Sequence, residues 1–269
     1  MVRVIMIMTA LLGFATAAPA QQEAGLRKLL TSEASRGWLG VGRLDIAGSM
    51  FCTGALIAPD LVLTAAHCLF DPADGSPIPA TDILFRAGYR LGQAAAERQA
   101  VKAIGHPAFD PVENRDTVRV ANDIGIIQLA QPIRNISIKP FQVGGLPRKG
   151  DTVTVVSYGQ DRTESPSLQE QCRIMARQSG ALIMTCEAHE GSSGAPVFVL
   201  AANGNPEIVS VISALAKSGD RHVTLGASLQ DKLGPLMDLV GDGQPTGEGN
   251  LPRVFSITGQ PGGAKFVKP

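Results

Sequence analysis

Short apolar or alternating segments, separated by Gly, Pro, Asp and Asn, make up the chain from Trp38 onward. Segments of this kind with turn residues between them are typical of β-strands. The segments that we interpret as strands are 38–44, 51–57, 61–63, 83–89, 124–129, 153–158, 181–186, 197–201 and 208–215. Many short strands in one chain predict an antiparallel barrel or sandwich. One late segment, 229–240, is amphipathic and predicts a short helix.

The first 20 residues have the pattern of a secretory signal peptide. Arg3 is followed by an apolar stretch over 4–17 and then by the small residues Ala18-Pro19-Ala20. A transmembrane anchor is the alternative, but a bilayer span needs about 20 apolar residues. We therefore expect cleavage after Ala20, a secreted or periplasmic protein and no stable membrane anchor.

Composition divides the rest of the chain into three parts. Residues 21–37 are polar and Ala-rich and are interpreted as an N-terminal lead-in or propeptide. Residues 38–240 contain the predicted strands and helix, and the Pro-containing stretch 131–150 predicts a linker between two halves. Residues 241–269 are rich in Gly and Pro and are expected to form a poorly packed tail.

The charges of the chain are balanced. Lys and Arg together number 24, as do Asp and Glu, and they form no runs of one sign. Proteins that bind nucleic acid or an anionic membrane surface usually carry clustered basic charge. The sequence therefore predicts neither kind of partner.

All four cysteines, at positions 52, 68, 172 and 186, follow the predicted signal peptide. An even number in an exported protein predicts two disulfides, for which three pairings are possible. The pairing Cys52–Cys68 with Cys172–Cys186 is favoured because it closes two short loops and fits the strand layout. A zinc site is the alternative, but there is no C-x-x-C and the four His residues form no ligand pair. We expect neither a metal nor another cofactor.

Three separated segments contain a His, an Asp and a Ser in that order along the chain. They are 63–68 (Leu-Thr-Ala-Ala-His-Cys), 122–129 (Asn-Asp-Ile-Gly-Ile-Ile-Gln-Leu) and 190–196 (Glu-Gly-Ser-Ser-Gly-Ala-Pro). Hydrolysis of an amide needs a nucleophile stronger than a free hydroxyl. A Ser gains that strength from an imidazole that takes its proton and a carboxylate that holds the imidazole. Each segment alone could be an ordinary turn, but the three together favour one mechanism.

Over residues 38–240 the chain resembles the trypsin/chymotrypsin-like serine proteases. The Thr-Ala-Ala-His-Cys run, with a Cys 16 residues upstream, and the Asn-Asp-Ile and Gly-Ser-Ser-Gly-Ala-Pro segments are similar to the family's motifs. The resemblance implies an all-β protein with two antiparallel six-stranded barrels, about 38–135 and about 136–228, and the short helix 229–240. It also implies that a Cys52–Cys68 bridge fixes the loop that presents the His.

The resemblance implies a role for each residue of the three segments. Ser193 would attack the scissile carbonyl, His67 would act as general base and then general acid, and Asp123 would orient His67. The backbone N–H groups of Gly191 and Ser193 would form the oxyanion hole. The candidates that would border the substrate cleft are Glu187, Glu190 and Ser213.

Two departures from the family concern activation. The residue before Ser193 is Ser192, where the family has Asp, and no Ile-Val-Gly-Gly segment lies upstream of Trp38. In the digestive members that Asp pairs with a newly cut N-terminal amine. Because both halves of this switch are missing, we expect activity that needs no new N-terminus and survives removal of residues 21–30. In this respect the chain is similar to the bacterial glutamyl endopeptidases.

The preference of the substrate pocket does not follow from the sequence. Glu187 lies six residues before Ser193, where digestive members have the pocket floor, but Cys186 lies seven residues before Ser193 rather than four, so the loop is rebuilt. Members that prefer Glu carry a His on the pocket strand. The strand 211–213 reads Val-Ile-Ser, which disfavours a preference for Glu.

The expected function is that of a secreted serine endopeptidase. It would form an acyl-enzyme, act as a monomer on protein or peptide substrates and use no cofactor. One alternative is a catalytically silent protein of the same fold that binds a protein partner. Another is an esterase of the α/β-hydrolase type, which is disfavoured because the Gly-x-Ser-x-Gly elbow is absent around Ser193.

Overall fold

The computed structural model describes residues 25–112, 117–218 and 221–241. The predicted signal peptide, 1–20, and all but the first residue of the predicted tail lie outside the described residues. The strands and helices in the described ranges are β1 (Arg27–Lys28), β2 (Val41–Ile46), β3 (Met50–Ala58), β4 (Leu61–Thr64), β5 (Ile83–Ala87), β6 (Ala96–Gly105), α1 (Thr117–Asn122), β7 (Gly125–Leu129), β8 (Gln142–Val143), β9 (Thr152–Gly159), β10 (Arg162–Gln178), β11 (Ala181–Met184), β12 (Pro196–Leu200), β13 (Pro206–Ser218), β14 (Arg221–Ser228) and α2 (Leu233–Gly241).

Strands β2 to β7 form the first barrel. It closes in the order β2-β3-β4-β7-β6-β5, and its pairings are antiparallel. In β5 every second residue, Ile83, Phe85 and Ala87, is buried, as expected for a strand with one face towards a core. These side chains pack with Leu44 and Ile127 inside the barrel.

Strands β9 to β14 form the second barrel. Neighbouring strands follow the order β10-β11-β14-β13-β12-β9, and an antiparallel pairing between β9 and β10 closes the ring. Two short strands add to it: β1 pairs with β10, and β8 runs parallel to β13. The two six-stranded antiparallel barrels expected from the sequence are confirmed.

Each barrel contains one disulfide. Cys52–Cys68 joins β3 to the turn that follows β4. Cys172–Cys186 joins β10 to the segment that follows β11. This is the pairing that the sequence favours, and the described residues include no free cysteine.

One apolar cluster, the shared core, spans both barrels. Phe141, from the connection between the barrels, and Phe198 of β12 have ring centroids 4.8 Å apart. The ring centroids of Trp38 and Phe198 lie 5.1 Å apart. The same cluster reaches Ile126 of the first barrel and Val211 of the second. This packing stabilises one arrangement of the barrels and of the cleft between them.

Part of the predicted lead-in belongs to this folded unit. Arg27 and Lys28 form β1 against Leu168 and Ser167 of β10. Leu29, which follows β1, is completely buried and packs into the shared core. Removal of residues 21–30 would therefore expose apolar surface of the core. The polar composition of the lead-in gives no sign that one of its residues is buried in this core.

The final helix and three long strands differ from the sequence prediction. The helix begins at Leu233 rather than at residue 229. Pro235 has no N–H and is tolerated only in the first turn of a helix, so the helix cannot start much earlier. Strands β6, β10 and β14 are not predicted because charged and polar residues interrupt their apolar pattern, and β10 also contains Pro166. Within the described ranges, no helix has the length and apolar character needed to cross a bilayer.

Candidate active site

The three segments singled out in the sequence meet at the cleft between the barrels. A 3-10 turn after β4, Ala66–Leu69, carries His67. Asp123 lies between α1 and β7, and Ser193 lies in the turn before β12. His67 and Ser193 line one cleft of about 450 Å³, together with Ser213 of β13.

Asp123 holds His67 through both carboxylate oxygens. Asp123 Oδ2 lies 2.6 Å from His67 Nδ1, and Oδ1 accepts a hydrogen bond from the backbone N–H of His67 at 2.8 Å. Because a carboxylate only accepts, Nδ1 carries the proton of this pair. The other ring nitrogen, Nε2, is then an acceptor in the neutral imidazole and can take a proton from a nucleophile.

The Asp123 carboxylate is completely buried. Ser213 Oγ donates a third hydrogen bond, to Oδ2, at 2.5 Å. Burial by itself raises the pKa of Asp123, but the charge and hydrogen bonds of His67 and the hydrogen bond from Ser213 lower the pKa below its ordinary value. The site therefore keeps a buried negative charge beside the imidazole.

The Ser193 side chain is half-buried and lines the cleft beside His67. In the part of the chain that the structure describes, no hydrogen bond joins the Ser193 hydroxyl to the His67 ring. Hydrogen bonds of this kind are often long before substrate binds and shorten in the complex with substrate. The arrangement brings a hydroxyl of the second barrel and an acceptor nitrogen of the first barrel to one cleft.

The backbone around Ser193 offers two N–H groups. Among the described residues, none accepts a hydrogen bond from the N–H of Gly191 or of Ser193. The carbonyl oxygens of the same two residues are engaged by Thr53 of β3. Its Oγ1 donates to Gly191 O at 2.8 Å, and its N–H donates to Ser193 O at 2.8 Å. The first barrel thus fixes the backbone of the loop that carries the nucleophile candidate.

Gly191 cannot be replaced by a larger residue without a change in this loop. Its φ of +89° lies in the left-handed region that side chains disfavour. A Cβ atom at this position would lie 2.1 Å from the Phe51 ring. The glycine therefore lets the backbone approach the first barrel closely.

Two of the three predicted cleft residues line the cleft. Glu190 and Ser213 are among its lining residues, whereas Glu187 is not. Glu187 is exposed, and its N–H donates to Gln169 Oε1 of β10 at 2.7 Å. The longer segment between Cys186 and Ser193 directs this residue out of the cleft.

Other residues of the site are not evident from the sequence. Apolar residues line the cleft next to Ser213. They are Ile212, Ala214 and Leu215, which lie outside the three segments with the His, the Asp and the Ser. Their position next to Ser213 on one strand is a signal that sequence reasoning could have used. Thr53 and Arg162 contact residues 191–193 from distant strands, and no local pattern marks either residue.

The sulfur atoms of Cys52 and Cys68 lie close to His67, which gives a cluster of metal-binding residue types. Both sulfurs form the disulfide of the first barrel and cannot act as thiolate ligands. This cluster therefore does not have the donor set of a metal site.

Two closed six-stranded barrels with a cleft between them place the protein in the class with a trypsin-like fold. The family model described as Trypsin matches residues 31–226. The chain therefore belongs to the trypsin family.

Proteins of known function in this family share part of the sequence. The glutamyl endopeptidase of Bacillus licheniformis is 30% identical over 151 residues, which cover 55% of this chain and 45% of that enzyme. The cercarial protease of Schistosoma mansoni is 29% identical over 208 residues, which cover 71% of this chain and 70% of that protease. The match to the Bacillus enzyme thus spans less than half of its length.

A solved structure of Glu endopeptidase in complex with MPD has the same fold. It aligns with a TM-score of 0.67 and 17% identity, and the alignment covers 82% of this chain and 98% of that chain. At this identity the match concerns the fold alone. Together with the Bacillus sequence, it confirms the expected resemblance to glutamyl endopeptidases.

Proposed function

We propose that the protein is a secreted serine endopeptidase in which Ser193, His67 and Asp123 form the catalytic triad. The observation that carries this proposal is the pair of hydrogen bonds from His67 to the buried Asp123 carboxylate. A carboxylate in this position sets the tautomer of the imidazole and stabilises the imidazolium that forms during the reaction.

The reaction proceeds by acyl transfer. Ser193 Oγ forms a bond to the scissile carbonyl carbon while His67 Nε2 takes the hydroxyl proton. The carbonyl oxygen becomes an oxyanion, which accepts hydrogen bonds from the N–H groups of Gly191 and Ser193. The C–N bond then breaks, and His67 gives its proton to the leaving amine.

Water completes the cycle. His67 takes a proton from a water molecule as its oxygen attacks the acyl carbon, and a second oxyanion forms in the same place. Its collapse breaks the bond to Ser193 Oγ, and His67 returns the proton to that oxygen. The products are a carboxylic acid and the free enzyme, and no cofactor takes part.

Secretion is supported by the N-terminal pattern and by the disulfides. The pattern of residues 1–20 is that of a signal peptide, and two disulfides are common in exported proteins and rare in the cytosol. The substrates that follow from this location are proteins or peptides outside the cytoplasm, and we expect the enzyme to act on them as a monomer.

Labelling by a fluorophosphonate probe tests the triad. We expect purified protein that begins at Gln21 to be labelled, Ser193→Ala and His67→Ala to lose the label, and Ser137→Ala to keep it. Ser137 is an exposed Ser outside the cleft and serves as the matched control. An unlabelled wild type would contradict the proposal and favour the silent protein that binds a partner. Hydrolysis of casein by the same set distinguishes a peptidase from an esterase.

A further inference from the structure

We propose that Arg162 is a positioning residue, a buried cation that holds the nucleophile loop in the conformation that binds the oxyanion. The nucleophile loop is defined here as residues 189–194. This inference rests on the proposed function, because it assigns the reason why that loop needs no newly cut N-terminus.

Arg162 begins β10 and is buried although it is charged. Its side chain is 1% exposed. One guanidinium nitrogen, Nη2, donates to Ser192 Oγ at 3.1 Å and to Ser157 Oγ at 3.0 Å. The other, Nη1, pairs with Asp161 at 2.6 Å. A buried charge is costly unless it is paired and hydrogen-bonded, so a residue of this kind has a specific role in the fold.

The hairpin between β9 and β10 leaves room for the guanidinium. Gly159 pairs with Arg162 across the hairpin. A Cβ atom at position 159 would lie 2.4 Å from Arg162 Nη1. Any larger residue there would displace the guanidinium, so the turn accommodates this side chain in one position.

Ser192 connects the guanidinium to the nucleophile loop. Its side chain is completely buried. Its Oγ donates to Tyr158 O at 3.0 Å and accepts from His189 N–H at 3.1 Å and from Arg162. A hydroxyl has one proton and two lone pairs, so all its hydrogen-bonding capacity is used. This geometry fixes the residue that lies between Gly191 and Ser193.

A second contact joins the same hairpin to the loop. The N–H of Gln160 donates to Glu190 O at 2.7 Å. The hairpin therefore contacts the loop on both sides of Gly191, through Glu190 and through Ser192. The contact to Glu190 O holds the peptide plane that carries the Gly191 N–H, and the contact to Ser192 Oγ holds the residue whose carbonyl shares a peptide plane with the Ser193 N–H.

The charge of Arg162 has only a partial counter-ion. Asp161 is 58% exposed in its side chain, and Ser192 is neutral. A hydrogen bond from a charged donor is about twice as strong as one between neutral groups. The positive group that holds the residue before the nucleophile thus lies in β10 of the folded chain, and no processing step has to deliver it.

The variant Arg162→Met tests the inference. It keeps much of the side-chain volume and removes the charge and the donors. Loss of one oxyanion donor typically reduces kcat about 10²- to 10³-fold, and Arg162 acts through such donors. We expect kcat to fall on the order of 10- to 100-fold with KM changed less than about 2-fold, because the rest of the cleft is intact. Arg36→Met, at an exposed position, is the matched control.

A double-mutant cycle with Ser192→Ala separates this role from a general loss of stability. Ser192→Ala removes the hydroxyl that Arg162 holds, and we expect a similar fall in kcat. If Arg162 acts through Ser192, Arg162→Met in the Ser192→Ala background reduces kcat much less than it does in the wild type. Full additivity of the two effects would overturn the inference.

The outcomes also separate this inference from the proposed function. An active wild type whose kcat is unchanged by Ser192→Ala or by Arg162→Met overturns the role of Arg162 alone. A wild type that hydrolyses no peptide overturns both. If Arg162→Met does not fold, Arg162→Lys and Ser192→Ala give the same test. Lys keeps the charge but lacks the planar guanidinium whose two nitrogens donate to different partners.

Discussion

Ser213 of the second barrel donates its hydroxyl hydrogen to Asp123 Oδ2 at 2.5 Å, so the carboxylate that follows α1 is held from the opposite side of the cleft. Asp123 accepts its other hydrogen bonds from His67 of the first barrel. The buried charge is therefore satisfied only when both barrels are in place.

The variant Ser213→Ala tests this contact. It leaves a buried carboxylate with one hydrogen bond fewer, which typically costs about 1–3 kcal/mol. We expect a decrease of this size in the free energy of unfolding and a decrease in kcat, because His67 is oriented less well. Urea unfolding and kinetics with a peptide substrate measure the two effects. The exposed Ser218 of the same strand supplies the control variant Ser218→Ala. Equal unfolding free energies and equal kcat values for the two variants would contradict a role of the Ser213–Asp123 hydrogen bond.

The titration of Asp123 gives a second prediction. Its pKa lies below the ordinary value of 3.8 although burial raises it, because His67 and Ser213 lower it by more. A carbon-13 NMR titration of the side-chain carboxyl should therefore have its midpoint below 3.8. In His67→Gln the midpoint should rise, since the opposing charge is lost and burial remains.

The same shift has a consequence for stability. A lowered pKa in the folded state means that the ionised group stabilises the fold at pH values above its unfolded pKa. That contribution is lost as the pH falls through the folded pKa of Asp123. We expect the free energy of unfolding to decline below about pH 4 in the wild type and less steeply in Asp123→Asn. A steeper decline in Asp123→Asn would show that the sign is wrong.

The neighbours Leu29 and Leu30 give a third prediction because their burial differs. Leu29 is completely buried in the shared core, whereas Leu30 is 50% exposed. Leu29→Ala should reduce the free energy of unfolding by about 2–5 kcal/mol, as is typical of buried leucines, and Leu30→Ala should have little effect. Thermal unfolding of both variants measures this difference.

Truncation extends this comparison to the whole segment. A chain that begins at Gly25 keeps β1 and Leu29 and should be as stable and active as one that begins at Gln21. A chain that begins at Thr31 lacks both and should have a lower Tm. Equal Tm values for these chains would mean that the segment does not stabilise the barrels.

Gly191 and Gly204 form a matched pair for a fourth prediction. Both have positive φ, +89° and +79°, but only Gly191 has no space for a Cβ atom. Gly204→Ala should cost roughly 1–2 kcal/mol of backbone strain without a change in kcat. Gly191→Ala should also reduce kcat, because Phe51 or the nucleophile loop must move. Similar kcat values for the two variants would argue against a rigid nucleophile loop.

Several features of the fold follow from local sequence. Alternating apolar residues, as in Ile83, Phe85 and Ala87, predict their strands because one face of each strand is buried. The resemblance of three short segments to the motifs of trypsin-like proteases implies that His67, Asp123 and Ser193 come together. In the structure His67 and Ser193 line one cleft, and Asp123 is hydrogen-bonded to His67.

Other features depend on contacts between distant segments. Arg162 and Thr53 are ordinary polar residues in their own strands, and their importance comes from contacts with residues 189–194. Leu29 lies in a polar segment whose burial is decided by β10. Local patterns describe which face of an element is apolar, but they do not say which residues pack behind a loop.

The hydrogen bonds from Thr53 to Gly191 and Ser193 make the proposed catalytic site a property of the assembled pair of barrels. A chain in which only the first barrel has folded has the imidazole and its carboxylate but no nucleophile beside them. By the proposed mechanism, such a chain does not cleave its neighbours.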